Sequence, residues 1–241
     1  MDGFPVVLIV VAFVAIAVVA IYLSHQAAKK RREALAALAG SLGWSFDPGE
    51  TPPWAEHNTF DCFERGHTRR VFNTLRGPLE IGGRRFEGLA GDYSYKVTSS
   101  NGKTTTTHTY RFSYLILRLP FLTPGLAIRH EGLLDKLAGA IGFDDIDFES
   151  SEFSRRFHVK SPDKRFAYDV VSPRMMEFLL AGRQCPGVSI SGVLCCLTDG
   201  TGRWEPAEFT GKIGWAREFF GHWPEFLTRQ LDERSGQGAR A

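Results

Sequence analysis

Four groups of residues have types and spacing that could do chemistry: Cys185, the triplet Gly102-Lys103-Thr104, the set His57, Cys62 and His67, and the acidic run Asp145, Asp147 and Glu149. Cys185 with one of the seven histidines would form a thiol nucleophile if a ring nitrogen stood within hydrogen-bond reach, which spacing cannot show. Gly102-Lys103-Thr104 ends like a phosphate-binding loop, but Val97 stands where that motif needs its first glycine. β-Branched threonines then follow in place of a helix, so a hairpin turn is the better reading. The even spacing of His57, Cys62 and His67 fits no zinc pattern, and a surface loop with a buried thiol explains it. The acidic run begins like a calcium loop, but Ser150 holds the turn-glycine position and Arg156 the bidentate-glutamate position. Ser189 misses the Gly-x-Ser-x-Gly spacing by one residue, because Ser191 stands where the second glycine belongs. No catalytic residue is assigned, and no metal or cofactor is expected.

The element that must position everything else is the apolar run over residues 4–23, which contains no Asp, Glu, Lys or Arg. Phe4, Val10, Phe13, Ile16, Ile21 and Leu23 belong to it. As a helix rising about 1.5 Å per residue it reaches about 30 Å, the thickness of a bilayer's hydrocarbon core. Val and Ile are mediocre helix formers in water, but in lipid a helix is what pairs the backbone within one segment. Lys29, Lys30, Arg31 and Arg32 follow and are expected to set topology and touch lipid headgroups. By the positive-inside rule the N-terminus faces out and the remainder lies in the cytoplasm, at the inner or plasma membrane. A cleaved signal peptide is the competing reading; it would want a cationic start and a shorter apolar core.

Composition describes a folded domain: 12% aromatic, 23% charged, formal net charge +2. The cations are dispersed apart from the juxtamembrane four, which disfavours nucleic-acid binding. Cys62, Cys185, Cys195 and Cys196 show no framework spacing and fit reduced thiols in a cytosolic domain.

Residues 27–39 favour a helix that continues the span as a stalk, ending near Gly40–Gly43. Residues 44–46 alternate as a strand, and the prolines at 48, 52 and 53 break it into a loop. Residues 70–75 read as a strand and Gly82-Gly83 as a turn. Residues 84–97 and 104–119 form a long hairpin around Asn101-Gly102, with Tyr93, Tyr95 and Val97 on one face and Tyr110, Phe112, Tyr114 and Ile116 likewise. Residues 120–125 end that hairpin. A short strand over 126–129, a helix over 132–140 and strands over 145–148 and 157–160 follow. Asp163 and Pro173 open two helices, 188–197 reads as an apolar pair broken near Gly192, and 205–233 is helical with a break before Pro224. The last residues, 234–241, read as a disordered tail. Trp215, Phe219, Phe220 and Trp223 form an aromatic stripe that either packs in the core or offers a patch to a partner or the membrane surface.

The stretch Phe153, Phe157, Val159, Ser161 and Asp163, then Ala167, Pro173, Met176 and Leu179, resembles a pattern in uncharacterised bacterial single-pass membrane proteins carrying a domain of unknown function. Leu42-Gly43-Trp44 and Trp204-Glu205-Pro206 fit the same layout. The resemblance implies no activity. Physically, Phe153, Phe157 and Val159 bury, Asp163 caps a helix and Pro173 starts one.

Together these readings describe an α+β protein: a transmembrane anchor over 1–24, a helical stalk over 25–43, and a mainly antiparallel β-sheet domain with flanking helices over 44–233. Two subdomains meeting near 120–145 are an alternative division. The expected function is a membrane-anchored interaction or scaffold module whose partners are the bilayer and a protein at its surface; the runner-up is a membrane-tethered thiol or serine hydrolase.

Overall fold

The stretches expected as anchor and stalk form one helix. The computed structural model describes residues 4–130, 145–182 and 185–238, and its first element, α1, runs unbroken over Phe4–Leu42. The helix expected over 132–140 lies outside the described residues. α1 ends in a paired cap: Gly43 has φ +67°, its N–H bonds the Gly40 carbonyl at 3.2 Å, and the Trp44 N–H bonds the Ala39 carbonyl at 2.8 Å. This closure wants a glycine at the left-handed position, which explains Leu42-Gly43-Trp44.

Six strands follow: β1 (Ser45–Thr51), β2 (His67–Ile81), β3 (Arg84–Ser100), β4 (Thr105–His130), β5 (Phe157–Lys160) and β6 (Gly187–Thr198). All pair antiparallel in one sheet, in the order β1-β2-β3-β4-β5, with β6 on β4. The registers put β3 and β5 on one edge of β4 and β6 along the other. The fold class is therefore as expected. The β2–β3 turn has positive φ at both Gly82 and Gly83, the geometry that suits two-residue hairpins. At the β3–β4 turn the Asn101 carboxamide oxygen accepts from the Lys103 and Thr104 N–H groups, so the would-be phosphate loop is a hairpin tip.

Several boundaries differ from expectation, each for a tertiary reason. β1 continues through Pro48 because a bulge between Asp47 and Glu50 absorbs it, with the Asp47 carboxylate accepting from the Gly49 N–H at 2.7 Å. β4 continues through Pro120 and Pro124 because register shifts against β6 accommodate both, and Thr123 Oγ1 donates to the Gly192 carbonyl at 2.6 Å. β6 is one strand bent at Gly192 (φ +60°), where a hairpin-like pair was expected. Residues 145–148 form no strand; the Ile146 N–H makes a single bond to the Val159 carbonyl at 2.8 Å. The last helix runs to Gly238, well into the stretch read as a disordered tail, and Ser235 Oγ accepts from the Leu122 N–H at 2.9 Å.

The helices are α2 (Ala55–Asn58), α3 (Ser151–Arg156), α4 (Lys164–Val170), α5 (Pro173–Ala181), α6 (Pro206–Gly221) and α7 (Glu225–Gly238), with a 3₁₀ turn at Asp61–Phe63. As expected from the pattern around 153–179, Phe153, Phe157 and Val159 are buried, Asp163 caps α4 and Pro173 opens α5. The sheet buries both faces. One carries the C-terminal half of α1 with α4, α5, α6 and α7, through Leu35, Ala39, Leu115, Leu117, Phe219 and Leu227. The other is covered by residues 54–63, where Phe60 and Phe63 meet Tyr93, Tyr95, Phe112 and Tyr114. The strand period thus sorts its aromatics as the alternation requires.

Trp44 fixes the helix exit. Its indole lies over Gly77 and Gly88, which face each other across β2 and β3, and its Nε1–H donates to the Pro78 carbonyl at 2.8 Å. A Cβ on Gly88 would stand 2.2 Å from the ring, and one on Gly77 2.4 Å. Gly88→Ala should therefore destabilise the domain by about 1–3 kcal/mol through overpacking. Denaturant unfolding followed by tryptophan emission checks this; Gly40→Ala, whose added Cβ meets nothing and whose backbone is not left-handed, controls for glycine loss without overpacking.

The aromatic stripe belongs to the core. Phe219, Phe220 and Trp223 are buried, and Trp215 is half-buried against Phe178 and Phe219. The surface-patch reading of these four residues is corrected: α6 lies against the sheet, where Phe86 and Phe121 on β3 and β4 receive Phe220 and Trp223 at ring separations of 5.1 and 6.0 Å.

Candidate functional site

α1 lines one side of a cleft against the sheet. Its apolar half packs against nothing: Phe13 is 70% exposed, and Ile16, Ile21 and Leu23 are similarly open. Phe4 and Val10 lie on the same helix. α1 is long and apolar enough to cross a membrane, and none of its most apolar window is buried in the domain. Arg31 lies about 12 Å beyond Leu23, and the headgroup layer is about 5–8 Å thick, so the domain begins directly beneath the headgroups if the span ends at Leu23.

Arg31 parts company with its basic neighbours. Its Nε and Nη2 donate to the two carboxylate oxygens of Asp92 at 2.9 and 2.7 Å. Asn73 Nδ2 at 2.9 Å and Ser113 Oγ at 2.6 Å supply the remaining donors, so Asp92, fully buried, is completely satisfied. Bidentate, desolvated pairs of this kind depend on every partner being present. Asn73 reaches its place from a left-handed backbone, φ +52°, at a bulge in β2. Arg31 is thus a latch between helix and sheet, where sequence suggested a headgroup contact. Lys29, Lys30 and Arg32 remain exposed.

Beside the latch, α1 and the sheet form an open cleft of about 680 Å³. Strand alternation puts Ser94, Lys96 and Arg111 on the same side as Asp92 and Ser113, opposite the tyrosines. Ser24, Ala27, Ala28 and Arg32 line it from the helix, Arg70 and Phe72 from β2, Glu50 from β1 and Arg203 from the loop before α6. Arg203 is held by its neighbours: Ser113 bonds the Gly202 carbonyl at 3.1 Å and accepts the Trp204 N–H at 3.0 Å. Small alanines on α1 leave the space. Five cations face one carboxylate, and Glu50 is taken by Arg70 at 3.4 Å. Arg32, Lys96, Arg111 and Arg203 have no acidic partner among the described residues. A smaller cavity of about 120 Å³ continues inward to Arg31 and Asn73. Asn73 Oδ1 is buried with no hydrogen-bond partner among the described residues.

The residues first considered for chemistry are scattered. His57 lies buried under Phe63 and Tyr114, whereas His67 is exposed and bonds Thr68 and Thr98. Cys185 Sγ donates to the Leu179 carbonyl at 3.3 Å, and burial pushes its thiol up, away from thiolate. Cys195 and Cys196 are buried, with thiols pushed up for the same reason. Asp145 pairs with His158 at 3.0 Å and Lys160 at 3.7 Å, a surface cluster beside β5.

Sequence reasoning missed the cleft. Its cations come from five separate segments, and the one available signal was the polar face of the hairpin, Ser94 and Lys96 alternating with Tyr93 and Tyr95.

No family model matches the chain, and no curated protein sequence matches it. Among solved structures, the crystal structure of the mycobacterial trehalose monomycolate transport factor A, TtfA, is similar, with a TM-score of 0.52 and 12% identity over 82% of this chain and 96% of that one. At that identity the likeness is one of fold alone.

Proposed function

We propose that this protein is a single-pass, membrane-anchored interaction module, with its N-terminus outside and its sheet domain held against the cytoplasmic face of the inner or plasma membrane. The observation that carries this reading is the continuity of α1, whose open apolar half becomes, without a break, a helix latched into the core by Arg31 and Asp92. A flexible tether would only concentrate the domain near the bilayer; a helix built into the core also fixes which face meets it. Lys29, Lys30 and Arg32 remain exposed beside the span and keep the positive-inside bias after Arg31 is withdrawn. The solved structure of similar fold is a transport factor, and binding a partner or lipid at a membrane is a role of that kind.

The topology is tested by an exposed position. In a Cys62→Ser background, Ser151→Cys, exposed and at the far end of the sheet from the span, should resist a membrane-impermeant maleimide in intact cells and react after lysis. Labelling in intact cells would put the domain outside. Recovery of the protein in the salt-washed soluble fraction would remove the anchor altogether.

A further inference from the structure

The cleft between α1 and the sheet has a charge balance that no function described so far uses. Arg32, Lys96, Arg111 and Arg203 line one open cleft without acidic partners among the described residues, and Arg70 adds a fifth cation whose partner is the exposed Glu50. Their summed positive potential favours an anion entering the cleft. Four of these five residues are arginines, whose planar forks match phosphate oxygens better than an ammonium does. The volume lies within the range of small-ligand sites.

Position narrows the source. The apolar run ends at Leu23 and the next residue, Ser24, already lines the cleft, so on the anchored reading its mouth opens at the headgroup layer. The β3–β4 hairpin follows α1 in the same direction, because Lys96 and Thr109 line the cleft together with Ser24 and Ala28. Phe72, Ala27 and Ala28 supply an apolar wall beside the cations. A smaller cavity lined by Arg31 and Asn73 adjoins the cleft.

We propose that this cleft is a lipid-headgroup site that takes the phosphate of an anionic phospholipid drawn from the leaflet where the span ends. The cations hold the phosphate at the mouth. The site gives the anchored module a lipid preference of its own; the anchoring reading enters only through where the mouth lies.

Native mass spectrometry of the full chain in a neutral detergent tests the proposal, with equimolar phosphatidylglycerol and phosphatidylcholine as probes. Phosphatidylglycerol should be retained at least about tenfold over phosphatidylcholine, and the triple variant Lys96→Gln, Arg111→Gln, Arg203→Gln should lose that preference. Lys29→Gln with Lys30→Gln, outside the cleft, should keep it within about twofold; equal losses in both variants would mean diffuse charge attraction and overturn the site. Arg203→Gln alone, on a loop, serves if the triple variant unfolds, and an unchanged preference in it would count against the cleft. Glycerol 1-phosphate displacing the lipid at matched concentration would make the ligand a soluble phosphate and overturn the lipid source. Membrane fractionation of the same variants reads the anchor independently, so failure at the cleft leaves the anchored reading intact.

Discussion

Arg31→Ala should destabilise the domain by about 3–5 kcal/mol, far more than any other change in the basic cluster after the span. The reason lies in what is left behind. Asp92 is fully buried, and Arg31 makes two of its four hydrogen bonds, so truncation strands a carboxylate in the sheet with only Asn73 and Ser113 to serve it. Lys29→Ala and Lys30→Ala should each cost under about 0.5 kcal/mol, because both side chains are solvated and the Lys29–Glu33 pair at 3.9 Å is exposed. Denaturant unfolding of the full chain in a neutral detergent gives the comparison. A double-mutant cycle with Asp92→Asn should show coupling of about 1–3 kcal/mol. Arg31→Ala at no greater cost than Lys29→Ala would mean that the helix is not latched where the geometry places it. The latch also ties stability to topology, since the same substitution removes one cation from the positive-inside count while freeing the stalk from the sheet.

Acidification from pH 6.5 to pH 4 should remove about 3 kcal/mol of stability through His57 alone. Burial holds this imidazole neutral, its pKa pushed from 6.5 down to about 4; Arg76 pushes the same way, while Glu56 opposes. The ring lies between Phe63 and Tyr114, its Nδ1 accepts from the Trp54 N–H at 3.3 Å, and its Nε2 has no partner. Below pH 6.5 the unfolded chain takes up a proton that the folded chain refuses until about pH 4. The unfolded state therefore gains, and stability present above pH 6.5 is lost as pH falls through that window. A depression of about 2.5 units at 1.36 kcal/mol each sets the size. His57→Phe should lose about 1 kcal/mol at pH 7 with the Trp54 bond, yet be flatter than wild type between pH 7 and pH 4. Parallel pH profiles for the two proteins would show that His57 does not titrate in the fold.

Most of the fold was legible because its signals are local. The charge-free run of residues 4–23, Gly43 after the stalk, the Asn101-Gly102 tip, Asp163 before α4 and Pro173 at the start of α5 each act within a few residues, and each is found where expected. Misread boundaries share a cause. Pro48, Pro120 and Pro124 look like terminators in isolation, and bulges or register shifts paired to another strand accommodate them. The aromatic stripe on α6 has one pattern whether it faces solvent or Phe86 and Phe121, so only packing could assign it.

The sequence by itself determined that this chain starts with a membrane-spanning length of apolar helix joined to an α+β domain, because apolar length, charge asymmetry and strand alternation are properties of neighbouring residues. Only the tertiary structure decided that Arg31 leaves its basic cluster for Asp92, and that Arg32, Arg70, Lys96, Arg111 and Arg203 meet in one cleft. Those residues lie far apart along the chain, and what brings them together is the path of α1 across β2, β3 and β4. Electrostatic sites made this way depend on distance through space, which no local pattern records.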